Sequence, residues 1–404
     1  MRYTITEVIG VIKNFDAIQK HMQEKGIDSW LISDFRGSNP AMCQIIGKKF
    51  TTRRAYVYVP KVGTPVVIYH IIDRNAYENL PCERIMYVTW QELFENLEKL
   101  LKNDKAVAME YSPMCSIPIV SWADGGIVDY VRSLGKKVVS SMDMFTLLTA
   151  VWSEENYKSH MYAAKNVQET KDMAFKLIGE KLKAGEFVNE YMVQEFIMQE
   201  FDRRNMYATD RAIVGVNENS SNSHYEPTRE KSSEIKKGDI VLIDLWAREK
   251  KDESVYADIT WMGYCGSDIP DKYVNVFNVA KGGRLAACEL LYKAEGEGKH
   301  LPGYMVDDAC RNFIKDAGYG EYFLHRTGHS IGPGATVHAM GANIDNFETH
   351  DERTLLPCTG FSIEPGICLG EFGVRTETDV YIHSDGRVEV TAGEQDAIIK
   401  ILED

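Results

Sequence analysis

Acidic and histidine side chains recur within short apolar segments in the C-terminal half of this 404-residue chain. Two of the aspartates lie in the strand-like runs IVLIDLWA and VYADITW. A carboxylate on an apolar strand is costly to bury unless a cation compensates its charge. Carboxylates that converge on one spot raise one another's pKa values unless divalent metal ions neutralise them. The pattern therefore predicts a site for two metal ions. The candidates are His224, Asp244, Asp258, His329, His338, Glu364 and Glu377.

Charge and composition narrow the functional class. The formal net charge of −14 argues against a nucleic-acid surface and against binding to anionic membranes. No segment approaches the roughly 18 apolar residues of a membrane span, and the N-terminus lacks the pattern of a signal peptide. The eight cysteines form no CxxC pair, which is typical of reduced, packed thiols. We therefore expect a cytoplasmic protein.

The overall class is predicted to be α+β, with an α/β domain over residues 1–152 and a second domain over residues 153–404. In the first, DSWLISD, RAYVYVP and TPVVIYHI are typical of strands, with a turn near Gly63. Residues 90–102 and 124–135 show helical spacing, and KKVVSSMDMF is predicted to be a strand followed by a connector. This region carries no cluster of chemically active residues, which favours a scaffolding, dimerisation or substrate-capping role.

The second domain is predicted to begin with a long helix over residues 153–183. Ser153 is a suitable N-cap, because its hydroxyl can accept a hydrogen bond from the first turn. Further helices are expected over residues 189–206, 274–294 and 304–317. Strands are expected in AIVGVN, DIVLIDLWA and YADITWMGYC, and again over residues 360–400, where Asp385-Gly386 is typical of a hairpin turn.

Each candidate residue also has a structural interpretation. Asp244 alone is typical of a strand end that caps the next turn, but a hairpin would bring it to Asp258. Glu377 can instead lie on a solvated face, and Asp379 on the same face is a competing candidate. Four of the ten histidines fall within a short segment, which favours a site without saying which of them bind metal. They are His325, His329, His338 and His350.

The order Asp, Asp, His, Glu, Glu in these contexts resembles the pita-bread metallopeptidases, which include aminopeptidase P, prolidase, methionine aminopeptidase and the metal-free creatinases. The motifs GHSIG, SIEPGI and GVRTE carry the resemblance, which covers residues 155–404. It implies a C-terminal pita-bread catalytic domain. The two-domain layout resembles the creatinase, prolidase and aminopeptidase P branch, which implies a creatinase-like N-terminal α/β domain.

The resemblance also implies roles for individual residues. Asp244 would bind one metal ion, His329 and Glu364 the other, and Asp258 and Glu377 would bridge both. Glu364 would in addition move a proton of a bridging water or hydroxide. The remaining site residues match substrate-holding or site-adjacent positions of the family. They are His224, His338 and Arg375. The implied cofactors are two divalent ions, Mn or Co foremost and Zn as a further option.

The activity implied is cleavage of Xaa-Pro bonds at the N-terminus of small peptides, by a homodimer with no nucleic-acid or membrane partner. Proline-specific members usually carry arginine where this chain has Trp261, and glycine where it has Arg326. Both side chains are expected near the pocket mouth, where they would narrow it or recognise another ligand. Two alternatives therefore stay open: metal-dependent C–N or C–S cleavage of a small metabolite, and a non-enzymatic binding module.

Overall fold

The structure is a computed structural model that describes residues 12–47 and 49–403. Its contacts divide the chain between Ala150 and Val151 into two compact units. The expected boundary between separate functional domains, at residues 152 and 153, stays a prediction. Within the described ranges, no helix combines the length and apolar character that crossing a bilayer requires. All eight cysteines lie in these ranges and have free thiols.

A six-stranded mixed sheet forms the centre of the N-terminal unit. Its strands are β1 (Ser29–Phe35), β2 (Arg54–Pro60), β3 (Val66–His70), β4 (Glu83–Tyr87), β5 (Ala106–Met109) and β6 (Lys137–Ser140). They lie in the order β4-β3-β2-β1-β5-β6. The pairs β1–β2 and β2–β3 are antiparallel, and the other neighbours are parallel. The four predicted strands correspond to β1, β2, β3 and β6.

Six α-helices are described in this unit. They are α1 (Phe15–Glu24), α2 (Pro40–Ile46), α3 (Arg74–Tyr77), α4 (Trp90–Leu101), α5 (Gly125–Ser133) and α6 (Met142–Thr149). The two predicted helices correspond to α4 and α5. The connector predicted after β6 is wrong, because that segment forms α6. Its apolar side chains recur at helical spacing, so Phe145 and Leu148 are both buried on one side of the helix.

Four helices are described in the C-terminal unit. They are α7 (Glu154–Ala184), α8 (Glu190–Arg203), α9 (Asp271–Gly296) and α10 (Gly303–Asp316). The predicted N-cap of α7 is confirmed, because the Ser153 side chain accepts a hydrogen bond from the backbone N–H of Asn156. The Asn156 side chain accepts in turn from the backbone N–H of Ser153, which completes a capping box.

The strands of the C-terminal unit form three sheets. They are β7 (Met206–Tyr207), β8 (Ile213–Val216), β9 (Ile240–Glu249), β10 (Ala257–Tyr264), β11 (Ser330–Ile331), β12 (Thr359–Ile363), β13 (Gly366–Cys368), β14 (Gly373–Arg375), β15 (Thr378–Ile382), β16 (Val388–Ala392) and β17 (Ile399–Lys400). One sheet has the order β17-β10-β9-β7, with β8 also paired to β9; another has the order β11-β12-β15-β16; and β13 pairs with β14. The predicted Asp385-Gly386 turn joins β15 to β16, with Gly386 at φ +89°.

Two apolar cores hold the larger sheets in place. In one core, side chains of α7 and α8 pack on β8, β9 and β10, as Phe175 and Ile178 do with Ile243. In the other, side chains of α9 and α10 pack on β12 and β15. Helices therefore cover one face of each of these sheets. The faces that remain carry the polar side chains of the candidate site.

The cap of α7 yields a stability prediction. Ser153→Ala removes the side-chain acceptor of the first turn, and we expect the free energy of unfolding to fall by about 1 kcal/mol. Urea unfolding followed by circular dichroism measures the change. Ser267→Ala, at an exposed serine, is the matched control and should leave the unfolding midpoint unchanged. Equal midpoints for Ser153→Ala and the original chain would contradict the capping role.

Candidate metal centre

The β9–β10 hairpin places two aspartates on one face. In its antiparallel register, Asp244 lies opposite Thr260 and Asp258 lies opposite Trp246. Because side chains alternate along a strand and direct partners point to the same side, these four share a face. The opposite face is apolar and packs on α7 and α8. Strand pairing thus brings the two carboxylates together across the loop.

The segment around His329 is joined to the end of β12. The backbone N–H of Ser362 donates to the carbonyl of His329 at 2.9 Å, and that of Glu364 donates to Thr327 at 2.7 Å. This approach requires glycine at position 328, because a Cβ there would lie 1.9 Å from the Ser362 carbonyl oxygen. The Ser362 hydroxyl accepts from the His329 backbone N–H and donates to Glu364 Oε1 at 3.2 Å. The serine therefore links the histidine to the glutamate.

Glu377 lies immediately before β15 and is 1% exposed. Its Oε2 accepts a hydrogen bond from the Thr260 hydroxyl at 2.7 Å, so it faces the β9–β10 hairpin. The solvated-face interpretation of Glu377 is therefore wrong. Asp379, the competing candidate, accepts from the backbone N–H of Asp258 at 2.9 Å. Asp379 thereby fixes the strand that carries Asp258.

Three of these groups are close enough to share an ion. Ligand atoms of Asp258, His329 and Glu377 all lie within 4.8 Å of one another. The Nε2 of His329 is 3.3 Å from Asp258 Oδ2 and 3.5 Å from Glu364 Oε1. Its Nδ1 lies 3.1 Å from the carbonyl oxygen of Ser330. An imidazole that donates Nδ1–H to a carbonyl presents its Nε2 lone pair to a metal ion.

Arg375 supplies a positive charge beside the carboxylates. Its Nη1 lies 2.9 Å from Asp244 Oδ2 and 3.5 Å from Glu364 Oε2. Burial would raise the pKa of Glu364, but His329 and Arg375 bring that pKa below its usual value. Burial dominates at Asp244 and raises its pKa, although Arg375 opposes the shift. One arginine therefore balances part of the negative charge.

Two other carboxylates of the site lack such compensation. Burial and the neighbouring carboxylates raise the pKa values of Asp258 and Glu377 well above their usual ranges. Asp258 Oδ1 and Glu377 Oε1 are both buried without a hydrogen-bond partner among the described residues. Buried carboxylate oxygens without donors are costly, and hard divalent cations prefer such ligands. The residues therefore fit the metal ions that the sequence predicts.

The site opens into a cavity of about 550 Å³. All eight predicted site residues line this cavity. Of these eight, His224 and His338 are exposed and the others are buried or half-buried. The ring of His338 lies 3.9 Å from that of His329, centroid to centroid. His329, when protonated, and desolvation of the His338 ring within the cavity lower the pKa of His338 to about 3, so its imidazole is neutral near pH 7. The eight predicted residues that line the cavity are His224, Asp244, Asp258, His329, His338, Glu364, Arg375 and Glu377.

A buried glutamate fixes the loop that carries His224. Glu190, at the start of α8, accepts hydrogen bonds from the Tyr225 hydroxyl at 2.7 Å and the backbone N–H of Ser233 at 2.6 Å. It also accepts from the side-chain amide of Asn219 at 2.9 Å. These bonds fix the loop on both sides of His224 in sequence. The Glu190 network therefore helps to position His224 at the cavity.

Trp261 does not occupy the position expected of it. It is absent from the side chains that line the cavity, because alternation along β10 directs it to the face that packs on α7. There Lys171 Nζ lies 3.3 Å from the centroid of the Trp261 ring. The expectation that Trp261 narrows the pocket mouth is therefore wrong. Arg326 does line the cavity, as expected.

Three side chains of the site were missed from the sequence, and a fourth, His325, was identified only as a member of the histidine cluster. Trp246 lies two residues after Asp244, and Thr260 lies two residues after Asp258. Because side chains alternate along a strand, this spacing predicts that each lies on the same face as its aspartate. His325 lines the cavity and belongs to the histidine cluster, but its role could not be separated from that of its neighbours. Ser362 gave no signal, because its hydroxyl gains a function only when β12 meets the His329 segment.

Comparison with known proteins places this site in a family. The model of metallopeptidase family M24 matches residues 163–384, which include every predicted site residue. The chain therefore belongs to metallopeptidase family M24, and it is an enzyme of that metal-dependent class. The Xaa-Pro dipeptidase of Lactobacillus delbrueckii subsp. lactis is 24% identical over 386 residues, which is 92% of this chain and 95% of that protein.

Other relatives match about half of this chain in sequence, and solved structures match nearly all of it in fold. The putative dipeptidase YkvY of Bacillus subtilis is 33% identical over 193 residues, or 46% of this chain and 47% of that protein. Dipeptidase PepE of Mycobacterium ulcerans has a TM-score of 0.67 at 20% identity, covering 99% of both chains. Prolidase of Thermococcus sibiricus has a TM-score of 0.62 at 21% identity, covering 96% of this chain and 98% of that one. The predicted pita-bread fold is confirmed.

The unpartnered carboxylate oxygens yield a prediction about metal content. We expect two Mn²⁺ or Co²⁺ per chain after reconstitution, and much lower occupancy in Asp258→Asn or Glu377→Gln, because each removes a charge that two ions would share. Elemental analysis after gel filtration measures occupancy. Glu321→Gln, at an exposed glutamate, is the control and should retain both ions. Full occupancy in both site variants would sink the ligand assignment.

Proposed function

We propose that the chain is a dinuclear-metal hydrolase that cleaves Xaa-Pro bonds at the N-terminus of small peptides. The observation that carries the proposal is the convergence of Asp258, His329 and Glu377, with two buried carboxylate oxygens that lack a donor among the described residues. Membership of a metallopeptidase family supports the hydrolytic reaction. The names of its relatives, among them Xaa-Pro dipeptidases, support the substrate class.

In this proposal five side chains hold two divalent ions, with Mn or Co preferred. Asp258 and Glu377 would be shared between the ions, a role supported by the one buried oxygen that each leaves without a protein donor in the described chain. The remaining ligands are Asp244, His329 and Glu364. The chemistry that such ions would supply at these residues is a lowered pKa of a bound water, which would make it a nucleophile at neutral pH. A neighbouring dinuclear relative, the X-prolyl aminopeptidase of Caenorhabditis elegans, supports this stoichiometry at a TM-score of 0.63 and 14% identity.

The protein's own groups then manage protons and charge. Glu364 would take the proton from the water, and the guanidinium of Arg375, 3.5 Å from its Oε2, favours the ionised form of Glu364 before the transfer. Arg375 fixes Asp244 and Glu364 by contacts at 2.9 and 3.5 Å. His338 donates a hydrogen bond to the oxygen that gains charge in the transition state, and His224, which also lines the cavity, holds the peptide.

Substrate specificity gives the next prediction. With Mn²⁺ or Co²⁺ supplied, Xaa-Pro dipeptides should turn over at least about tenfold faster than Xaa-Ala dipeptides, a ratio within the reach of pocket complementarity. Steady-state kcat/KM on paired peptides measures it, and chelated protein is the control. Comparable values for the two series would contradict proline specificity. Turnover of neither series, with metal bound, would favour cleavage of a C–N or C–S bond in a non-peptide metabolite.

A pair of histidine variants separates metal binding from catalysis. His338→Ala should retain both ions and lose a factor of about 10² to 10³ in kcat, which is the usual effect of removing one donor to a developing oxyanion. His329→Ala should lose metal and activity together. Elemental analysis and rates on the two variants provide the comparison. If His338→Ala loses metal and His329→Ala keeps it, the two roles must be exchanged.

A further inference from the structure

Arg326 places a guanidinium group inside the cavity that holds the candidate metal centre. Its side chain lines the cavity and is 21% exposed. Its Nη2 lies 3.3 Å from Nδ1 of His338. The contact therefore joins a cationic side chain of the cavity to a histidine of the proposed catalytic machinery.

The chemistry of this contact fixes the tautomer of His338. Arginine is a donor only, so Nδ1 of His338 must accept the hydrogen bond. A neutral imidazole carries one proton, which therefore lies on Nε2. The proposed role of His338 requires a donor, and Nε2–H is then the group available to a substrate. Removing Arg326 would let both tautomers exist, and only one of them has that donor.

Packing alone does not hold the His338 ring. The residue is exposed at the cavity rim. Among the described residues, its imidazole contacts the ring of His329, at 3.9 Å between centroids, and the guanidinium of Arg326. Ring contact restrains the plane of an imidazole, but it does not distinguish one nitrogen from the other. The hydrogen bond from Arg326 does.

Glu348 holds Arg326 in place. Its Oε1 accepts from the backbone N–H of Arg326 at 3.0 Å, and its Oε2 lies 3.8 Å from Nη1. The carboxylate therefore fixes the backbone at this position and attracts the guanidinium from one side. The remaining edge of the guanidinium faces His338.

We propose that Arg326 is a positioning residue, which orients His338 and keeps its proton on Nε2 so that the imidazole donates to the reacting carbonyl oxygen. The inference rests on the proposed function for the identity of the reaction. The geometry of the hydrogen bond between Arg326 and His338 carries it independently of which peptide is cleaved.

A double-mutant cycle tests the proposal with Arg326→Met, which keeps the length of the side chain and removes its donors. In the original chain, this variant should lower kcat by about tenfold with little change in KM. In a His338→Ala background, the same change should alter kcat less than about twofold, because residues that act through one another are not additive. Arg326→Lys, which keeps a donor, should recover part of the rate.

Controls separate this effect from loss of metal or fold. Arg203→Met, at an arginine whose side chain is 68% exposed, should leave kcat unchanged. All variants should retain the metal content and unfolding midpoint of the original chain. One result would overturn the proposal. Arg326→Met would raise KM for Xaa-Pro dipeptides by the same factor in the original chain and in His338→Ala, and it would leave KM for the C-terminal amides of these dipeptides unchanged. Arg326 would then bind the substrate carboxylate directly.

A second readout does not depend on turnover. In protein loaded with diamagnetic Zn²⁺ and labelled with ¹⁵N-histidine, the signal of His338 should show an unprotonated Nδ1 and a protonated Nε2, and Arg326→Met should shift it to a mixture. The His338→Ala spectrum assigns the signal. A proton on Nδ1 in the original chain overturns the proposal. If His338 shows the expected tautomer but no Xaa-Pro peptide is cleaved, the proposed function is refuted. The positioning role of Arg326 would still hold.

Discussion

The burial of several carboxylates at one place is the constraint on which the rest of the catalytic unit depends. Asp244 and Asp258 share one face of the β9–β10 hairpin, and Glu364 and Glu377 reach the same space from the β11-β12-β15-β16 sheet. Arg375 compensates only part of their charge, and Asp258 and Glu377 each keep an oxygen without a donor in the described part of the chain. Such a cluster is costly without a cation. The fold therefore brings the carboxylates together, and in our proposal metal ions supply the missing charge.

The sequence identifies the acidic residues and histidines of the candidate site more completely than the side chains and helices that support them. Asp258 and Glu377 were found because an acidic side chain within an apolar strand is costly to bury without a cation, and the family motifs supplied their order. Ser362 could not be found, since its hydroxyl joins His329 to Glu364 only through tertiary contact. Helix α6 was missed because a short apolar run after a strand has the same composition as a connector.

Trp261 shows why position in a motif does not give direction in space. It follows Asp258 closely, yet strand alternation turns it to the opposite face, where Lys171 lies over its ring. A buried ammonium on an indole ring combines packing with cation–π attraction. Trp261 therefore contributes to the packing of α7 on the sheet. Arg326 instead contributes to the cavity, because its side chain contacts His338.

The central claim is that two metal ions occupy the space between the hairpin and the β11-β12-β15-β16 sheet. Diffraction from crystals grown with Mn²⁺, recorded at the manganese absorption edge, tests it most directly. The account predicts two anomalous peaks about 3.5–4 Å apart, the usual spacing of paired catalytic ions, both in contact with Asp258 and Glu377. An absence of anomalous peaks at these carboxylates, in crystals that hold manganese elsewhere, would contradict it.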